Sequence, residues 1–192
     1  MRGGAATVAA AALLLSCAAP AAAQPVKERL ATCLACHGEN GQSNTPQTPS
    51  LGAQPAFFLN IQMFMFREKI RVVPLMNQMM QGVSNNDIKA LAEAISKLPP
   101  PQPPEGAADA ARVETARALA GENRCNICHG ANFAGGENVP RLAGQREDYL
   151  AKTLREYKGN TRRGYDAAMA DVLYSVSDDQ ITDLAYFLSR LR

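Results

Sequence analysis

The residues of this chain that are best suited to chemistry are its cysteines and histidines, and most of them occur in two short motifs. The pentapeptides CLACH and CNICH each place two cysteines three positions apart, with a histidine directly after the second cysteine. The second copy begins 92 positions after the first. Cys-x-x-Cys alone is used in zinc sites, redox pairs and disulfides, and the adjoining histidine narrows that choice. The residues concerned are Cys33, Cys36, His37, Cys125, Cys128 and His129.

The complete pattern Cys-x-x-Cys-His is the attachment signal for haem c. Two thiols at this spacing can reach the two vinyl groups on one porphyrin edge and form thioethers, and the imidazole is delivered to the iron. The alternatives explain less of the pattern. One zinc site made of all four cysteines would leave both histidines unused, and a thioredoxin-like pair needs a βαβ context that is not visible here. Two disulfide staples would not explain His37 and His129. We therefore predict two covalently attached haem c groups, each with an iron.

The sixth ligand of each iron must come from another residue type, because the chain has only two histidines and both serve as proximal ligands. Met169 is the only methionine of the second half, and it lies eight residues before the serine that opens the last predicted helix. Met76 lies eight residues before the corresponding serine of the first half. The two methionines follow their histidines by 39 and 40 residues. We predict that Met76 and Met169 bind iron, with Met79 and Met80 as alternatives to Met76; thioether ligation raises the reduction potential.

A proline follows each histidine at a similar distance, Pro49 after 12 residues and Pro140 after 11. A metal-bound imidazole usually donates its second ring N–H to a carbonyl, which fixes the ring orientation. We expect the carbonyls of Pro49 and Pro140 to be these acceptors, although a proline at a loop turn can also be purely structural.

The segments around the motifs repeat as well. PSLGAQPAFFL at 49–59 matches PRLAGQREDYL at 140–150 at a constant offset of 91. VSNNDI at 83–88 matches VSDDQI at 176–181 at an offset of 93. Each half therefore contains the same elements in the same order, which indicates an internal duplication.

The run PPPQPP at 99–104 separates the two copies. Such a run cannot continue a helix and favours an extended polyproline segment, which acts as a semi-rigid spacer. We predict one domain at 24–98, a proline-rich linker at 99–106 and a second domain at 107–192.

The predicted elements are helices. Ser84 and Ser177 each precede apolar residues at i, i+3, i+4 and i+7 spacing, which is typical of a capped amphipathic helix. A further helix is expected over 107–120, ended by Gly121 in the usual C-terminal role. The remaining helices are expected over 57–66 and 149–157. No stretch shows sustained strand alternation, so the predicted fold class is all-α.

Composition limits the remaining function classes. Residues 25–98 carry 7 basic and 5 acidic side chains, and residues 105–192 carry 12 and 13. This balance is not a nucleic-acid footprint, and the one tight basic pair, Arg162 and Arg163, is expected in a solvated loop. Each half has only about 75 to 85 residues, a size at which a disulfide, metal or cofactor usually supplements the core.

The N-terminus predicts export. Arg2 is followed by an almost unbroken run of Ala, Leu and Val, and then by three alanines ending at Ala23. This is the pattern of a secretory signal at residues 1–23. We expect the signal to be cleaved near Ala23, so that the mature protein reaches the periplasm. The alternative is lipidation, because LLSC ending at Cys17 resembles a bacterial lipobox and would attach the protein to a membrane.

With these motifs the sequence resembles a dihaem cytochrome c of the cytochrome c4 family. The resemblance covers nearly all of the mature chain and depends on CLACHG and CNICHG, on PSLGAQPAFF and PRLAGQREDYLAKTLREYK, and on MNQMMQGVSNNDI and MADVLYSVSDDQI. It implies two class I cytochrome c folds in tandem, with the two haems near the interface between them. The lead-in before the first motif, residues 24–32, is shorter than the family's usual N-terminal helix.

The resemblance also implies a function. We expect a periplasmic one-electron carrier that is not itself an enzyme and that passes electrons towards a terminal oxidase. Redox partners would be an oxidase, a cytochrome bc1-type complex or a flavoprotein subunit. The alternative is the cytochrome subunit of an enzyme complex, such as a flavocytochrome sulfide dehydrogenase or a membrane-bound dehydrogenase. A dihaem peroxidase, with one open iron, is a third reading, which carbon monoxide binding to the reduced protein would reveal.

Overall fold

A computed structural model describes residues 25–162 and 167–192, and within these residues the secondary structure is helical. One isolated bridge joins Gly136 and Val139. The all-α prediction is confirmed. The first half contains α1 (Val26–His37), α2 (Ala56–Arg67), α3 (Pro74–Met80) and α4 (Asn85–Ser96); the second contains α5 (Ala110–Glu122), α6 (Cys125–His129), α7 (Glu147–Lys158), α8 (Ala167–Leu173) and α9 (Asp178–Ser189).

The first half packs around α4. Its apolar positions at helical spacing are buried together: Ile88, Leu91, Ala92 and Ile95. They contact α2 on one side and α1 on another, and α3 packs on α2. The helix starts where the sequence predicts, because the Ser84 side chain accepts a hydrogen bond from the Asp87 N–H.

The second half packs around α9 in the same way. This helix lies against both α5 and α7, and α8 packs on α7. Ser177 and Gln180 form a capping box at its start, in which each side chain bonds the backbone of the other residue. At the buried end of the helix, the Phe187 ring meets the Phe133 ring edge-on, with centroids 5.9 Å apart.

The predicted helix over 107–120, ended by Gly121, corresponds to α5, and both predicted ends are wrong. The helix begins at Ala110, after Asp109 caps it, and it runs through Gly121 to Glu122. The Asn123 N–H still reaches the Leu119 carbonyl at 3.1 Å. Arg124 adopts a left-handed backbone conformation with φ 54°. The chain therefore turns away from the helix at Arg124 and not at Gly121.

The two Cys-x-x-Cys-His segments therefore lie in different helical contexts. In the first half the motif forms the C-terminal end of α1, so the short lead-in and the motif make one continuous helix. In the second half the turn at Arg124 separates α5 from the short helix α6 that carries the motif. Although the lead-in is short, α1 packs on α4 as α5 packs on α9.

A glycine of each half lies in close contact with the backbone of the proline-rich segment. A Cβ placed on Gly52 would lie 2.1 Å from the Pro99 carbonyl oxygen, and one on Gly144 would lie 2.4 Å from that of Pro101. Only glycine lets the backbones approach this closely. The Gln42 side chain adds a pair of hydrogen bonds to the backbone of Gln102, at 3.2 and 3.4 Å.

The predicted signal segment, with its cleavage site near Ala23 and the alternative lipidation site Cys17, lies outside the described residues. Among the helices that the structure does describe, none has the length and apolar character needed to span a bilayer.

Candidate haem sites

The cysteines of each motif lie one helical turn apart, so they project from the same side of the helix. Cys33 and Cys125 are half-buried, Cys36 and Cys128 are exposed, and the structure leaves all four thiols unpaired. Burial raises the pKa of the Cys33 and Cys125 thiols. Within the described ranges, no three His, Cys, Asp or Glu side chains are grouped to hold a metal ion. The cysteines of the two motifs are thus not brought together as one shared zinc site within the described residues.

The two histidines have matching environments. His37 and His129 are 7 % and 5 % exposed. The His37 Nδ1 lies 2.8 Å from the Pro49 carbonyl oxygen, and the His129 Nδ1 lies 2.9 Å from that of Pro140. A carbonyl can only accept, so Nδ1 carries the hydrogen and Nε2 keeps its lone pair.

Burial strengthens this assignment. Loss of solvation lowers the pKa of both histidines, and the proline carbonyls oppose that effect only in part. At neutral pH the imidazoles of His37 and His129 are therefore uncharged. Each has one nitrogen directed by the backbone and the other available as a metal ligand.

The peptide that supplies each carbonyl is held from the opposite half. Gln54 bonds both backbone groups of Arg141, and Gln145 bonds both backbone groups of Ser50. The sequence contains a signal for these residues, because Gln54 and Gln145 align in the internal repeat, but their role was not predicted. The register alone does not reveal that the partner lies in the other half.

The predicted methionine ligands lie on corresponding helices. Met76 is half-buried on α3 and contacts the first core cluster, and Met169 is half-buried on α8 and contacts the second. Of the two alternatives, Met79 is half-buried, whereas Met80 is 3 % exposed and belongs to the first core itself.

Two arginines related by the repeat offset meet between the halves. Arg71 and Arg162 approach the Tyr149 hydroxyl oxygen to 3.4 and 3.5 Å. The Arg162 side chain is only 7 % exposed, so its predicted place in a solvated loop is wrong, whereas Arg163 lies outside the described residues. Burial alone would raise the pKa of Tyr149, but the two guanidinium groups lower it to about 7.

Both arginines have further partners. Arg162 pairs with the Glu156 carboxylate at 3.2 Å, and Arg71 donates to the Gln62 Oε1. The cluster is therefore a polar network between the halves. The features that fit haem c in each half are two thiols on one side of a helix and a neutral imidazole whose Nε2 keeps its lone pair.

Comparison with known proteins agrees with this chemistry. The family model for cytochrome c matches residues 113–192. A thiosulfate dehydrogenase electron acceptor from Thiomonas intermedia is 33 % identical over 183 residues, which cover 90 % of this chain and 84 % of the relative. A cytochrome c4 from Thiocapsa roseopersicina is 29 % identical over 170 residues, covering 83 % of this chain and 86 % of the relative.

A solved structure of a cytochrome c4 has a similar fold. The crystal structure of reduced cytochrome c4 from Pseudomonas stutzeri superposes with a TM-score of 0.76 at 26 % identity, covering 88 % of this chain and 100 % of that one. These relatives are electron carriers and electron acceptors. The chain therefore belongs to the cytochrome c4 family, the dihaem c-type cytochromes that transfer electrons without being catalytic enzymes, and it carries two covalently bound haem c groups.

Proposed function

We propose that this protein is a periplasmic one-electron carrier that takes electrons from an oxidoreductase of inorganic sulfur compounds and delivers them to a respiratory acceptor. In each half, haem c supplies the one-electron couple of its iron. The observation that carries the proposal is the repeated imidazole–carbonyl pair, which leaves one Nε2 per half as an iron ligand. Two equivalent sites in one chain suit one-electron transfer.

We assign four residues to each site. Cys33 and Cys36 would hold the first haem and Cys125 and Cys128 the second, through thioethers. His37 and His129 would be the proximal ligands, each oriented by a proline carbonyl. Met76 and Met169 would be the sixth ligands. For Met76 the support is its match to Met169 in the repeat, and the burial of Met80 in the core argues that its sulfur serves packing.

The halves are proposed to be two cytochrome c domains, at 24–98 and 107–192, joined by the linker at 99–106. Their support is the presence of two clusters of buried apolar side chains. One is drawn from residues 59 to 95 and the other from residues 116 to 188. Each cluster is local to its own half.

The periplasmic location depends on the N-terminal signal. Residues 1–23 have the composition of a cleavable secretory segment, and attachment of haem c in bacteria takes place outside the cytoplasm. Fractionation of cells that produce the full chain would test this. Recovery of the mature protein in the periplasmic fraction is expected, and retention of the protein in the membrane fraction would favour the lipidated Cys17.

The sulfur-compound donor is the finer part of the proposal. Its support is the identity with the thiosulfate dehydrogenase electron acceptor of Thiomonas intermedia along nearly the whole chain. Two one-electron sites in one chain could together accept two electrons from such a donor.

A kinetic experiment tests the donor. The oxidised holoprotein is mixed with thiosulfate and a thiosulfate dehydrogenase, and haem reduction is followed by stopped-flow absorbance. We expect both haems to be reduced at a rate that rises with enzyme concentration, and no reduction by thiosulfate alone. An unrelated mitochondrial-type cytochrome c is the control. If that control is reduced as fast, the proposed pairing with the enzyme is wrong.

The same preparation separates a carrier from a fixed subunit. A carrier is expected to elute alone in size-exclusion chromatography of the periplasmic extract. Co-elution with a flavoprotein or another catalytic chain at fixed stoichiometry would instead make this protein the cytochrome subunit of an enzyme complex.

A further inference from the structure

The peptide group between Pro140 and Arg141 has hydrogen-bonding partners in both halves. Its carbonyl, which belongs to Pro140, accepts from the His129 Nδ1 at 2.9 Å. Its N–H, that of Arg141, donates to the Gln54 Oε1 at 3.0 Å. One planar peptide therefore connects a glutamine of the first half to a histidine of the second.

The first half repeats this arrangement with the roles exchanged. The Pro49 carbonyl accepts from the His37 Nδ1 at 2.8 Å, and the Ser50 N–H donates to the Gln145 Oε1 at 2.8 Å. A glutamine of the second half thus completes the peptide at the histidine of the first. The two connections have the same order of groups and similar lengths, and the Gln145 Oε1 also accepts from the Arg146 N–H at 3.0 Å.

Each glutamine is locked in this position. The Gln54 Nε2 donates to the Arg141 carbonyl at 2.9 Å, and the Gln145 Nε2 donates to the Ser50 carbonyl at 2.8 Å. Because a backbone N–H can only donate, the atom that faces it must be Oε1, which settles the orientation of each amide. Both side chains are 4 % exposed, so water does not compete for these bonds.

Hydrogen bonds in such a chain strengthen one another. When the N–H of a peptide is bonded to a good acceptor, the carbonyl of the same peptide becomes more negative and accepts more strongly. A stronger bond to Nδ1–H makes the imidazole a more basic ligand. A more basic ligand favours the higher oxidation state of the metal that it binds, and so lowers the reduction potential.

We propose that Gln54 and Gln145 are positioning residues that tune the haem of the opposite half through the peptides at 140–141 and 49–50. Gln54 acts on the second-half haem, and Gln145 acts on the first-half haem. This inference rests on the proposed ligation by His37 and His129. It makes docking of the two halves a determinant of both potentials.

The test uses Gln54→Met and Gln145→Met in the mature holoprotein. Methionine keeps most of the glutamine length and apolar contact but lacks the amide. The potentials are measured by redox titration followed by NMR, in which haem methyl signals are assigned to each half through their contacts with neighbouring residues. The Nδ1 proton of each histidine, and its exchange with solvent, is observed in the same spectra.

We expect a crossed result, in which each substitution changes the haem of the opposite half. Gln54→Met should raise the potential of the second-half haem, by about a threefold change in the oxidised-to-reduced ratio at fixed solution potential, or ~28 mV at 59 mV per tenfold for one electron. It should also speed exchange of the His129 Nδ1 proton. Gln145→Met should do the same for the first-half haem and His37. An effect on the haem of the variant's own half, equal effects on both haems, or no effect would each overturn the proposal.

Two further variants separate tuning from loosened packing. Gln42→Met removes a similar glutamine–backbone pair, which joins the linker and not a histidine peptide, and it should leave both potentials unchanged. Gln54→Glu keeps an oxygen acceptor on the Arg141 N–H, so the second-half potential should not rise. A rise as large as that of Gln54→Met would contradict the proposal.

Failure of the underlying ligation gives a different result. The unmutated holoprotein must show two haems in the pyridine haemochrome assay and histidine nitrogen signals shifted by the iron. If these are absent, the assignment of His37 and His129 is wrong. If they are present and the crossed shifts are absent, only the tuning role of Gln54 and Gln145 is wrong.

Discussion

At the scale of single residues, the sulfur ligands can be tested against a methionine that packs in the core. Met169→Ala and Met76→Ala should each abolish the charge-transfer absorption of one ferric iron–thioether bond and open one reduced haem to carbon monoxide. The potential of that haem should fall, because thioether ligation favours the reduced iron. Optical titration of the purified holoproteins provides the measurement.

The matched control is Met80→Ala. Met80 is 3 % exposed in the first core, so its truncation should lower the free energy of unfolding by about 2–5 kcal/mol while both thioether bands remain. If Met80→Ala removes the band and Met76→Ala does not, then Met80 is the ligand and the repeat register is misleading. Chemical denaturation in the oxidised state gives the stability difference.

The residues that act within their own half could be read from the sequence, whereas those that act across the halves could not. Cys-x-x-Cys-His is a local motif, and the Ser84 and Ser177 caps depend on residues three positions away. Gln54 bonds a residue 87 positions along the chain. A glutamine at a repeated position carries no mark of such a partner, since its amide can bond any backbone within reach.

At the scale of elements, the close contact between the linker and the second half can be tested with a matched pair of glycines. Gly144 and Gly82 both have φ +72°, but a Cβ on Gly144 would lie 2.4 Å from the Pro101 carbonyl oxygen, whereas one on Gly82 would meet nothing within 4 Å. Gly82→Ala should cost about 1–2 kcal/mol, the usual penalty of the left-handed conformation.

Gly144→Ala should carry this same penalty and also displace the linker. We expect a larger loss of unfolding free energy than in Gly82→Ala, together with faster cleavage after the exposed Glu105 by a glutamate-specific protease. Equal stabilities and equal cleavage rates in the two variants would show that the linker contact contributes nothing.

The elements also show where local sequence signals stop being reliable. Gly121 looks like a helix end, but α5 continues through it to Glu122 and the left-handed turn follows at Arg124. Arg162 looks like a solvated residue, but its guanidinium lies inside with Tyr149. For Arg162, tertiary contacts outweigh the local preference.

At the scale of the whole molecule, acid should weaken the contact between the halves. The Asp148 carboxylate accepts from the Gln47 N–H of the first half at 2.9 Å. Its hydrogen bond with Arg146 holds the pKa of Asp148 below its ordinary value. A carboxyl group whose pKa is lowered by folding stabilises the folded state above its ordinary pKa, and that contribution is lost as the pH falls through the lowered value.

Asp148→Asn should therefore lose stability at neutral pH and show a smaller further loss on acidification than the unmutated protein. Unfolding by urea at a series of pH values between about 7 and 3 measures both effects. Asp171→Asn on α8, which is exposed, is the control and should follow the unmutated protein. Parallel pH curves for all three proteins would contradict the role of Asp148.

The contacts between the halves also have a meaning in terms of symmetry. Ser50 meets Gln145 and Arg141 meets Gln54, and the repeat offset of 91 turns one pair into the other. This is the pattern of an isologous interface, in which residue i of one subunit meets residue j of its partner and j meets i. Because each half uses this patch on the other, the assembly is closed and the same contacts cannot add a third half.

A single half with these residues carries both members of the pair, so its patch is self-complementary in the way that association into a two-fold homodimer requires. Joining two copies through the linker made that association intramolecular and independent of protein concentration. The duplication thus kept the interface of a dimer inside one polypeptide, and it allowed the two copies to diverge while remaining in fixed one-to-one proportion.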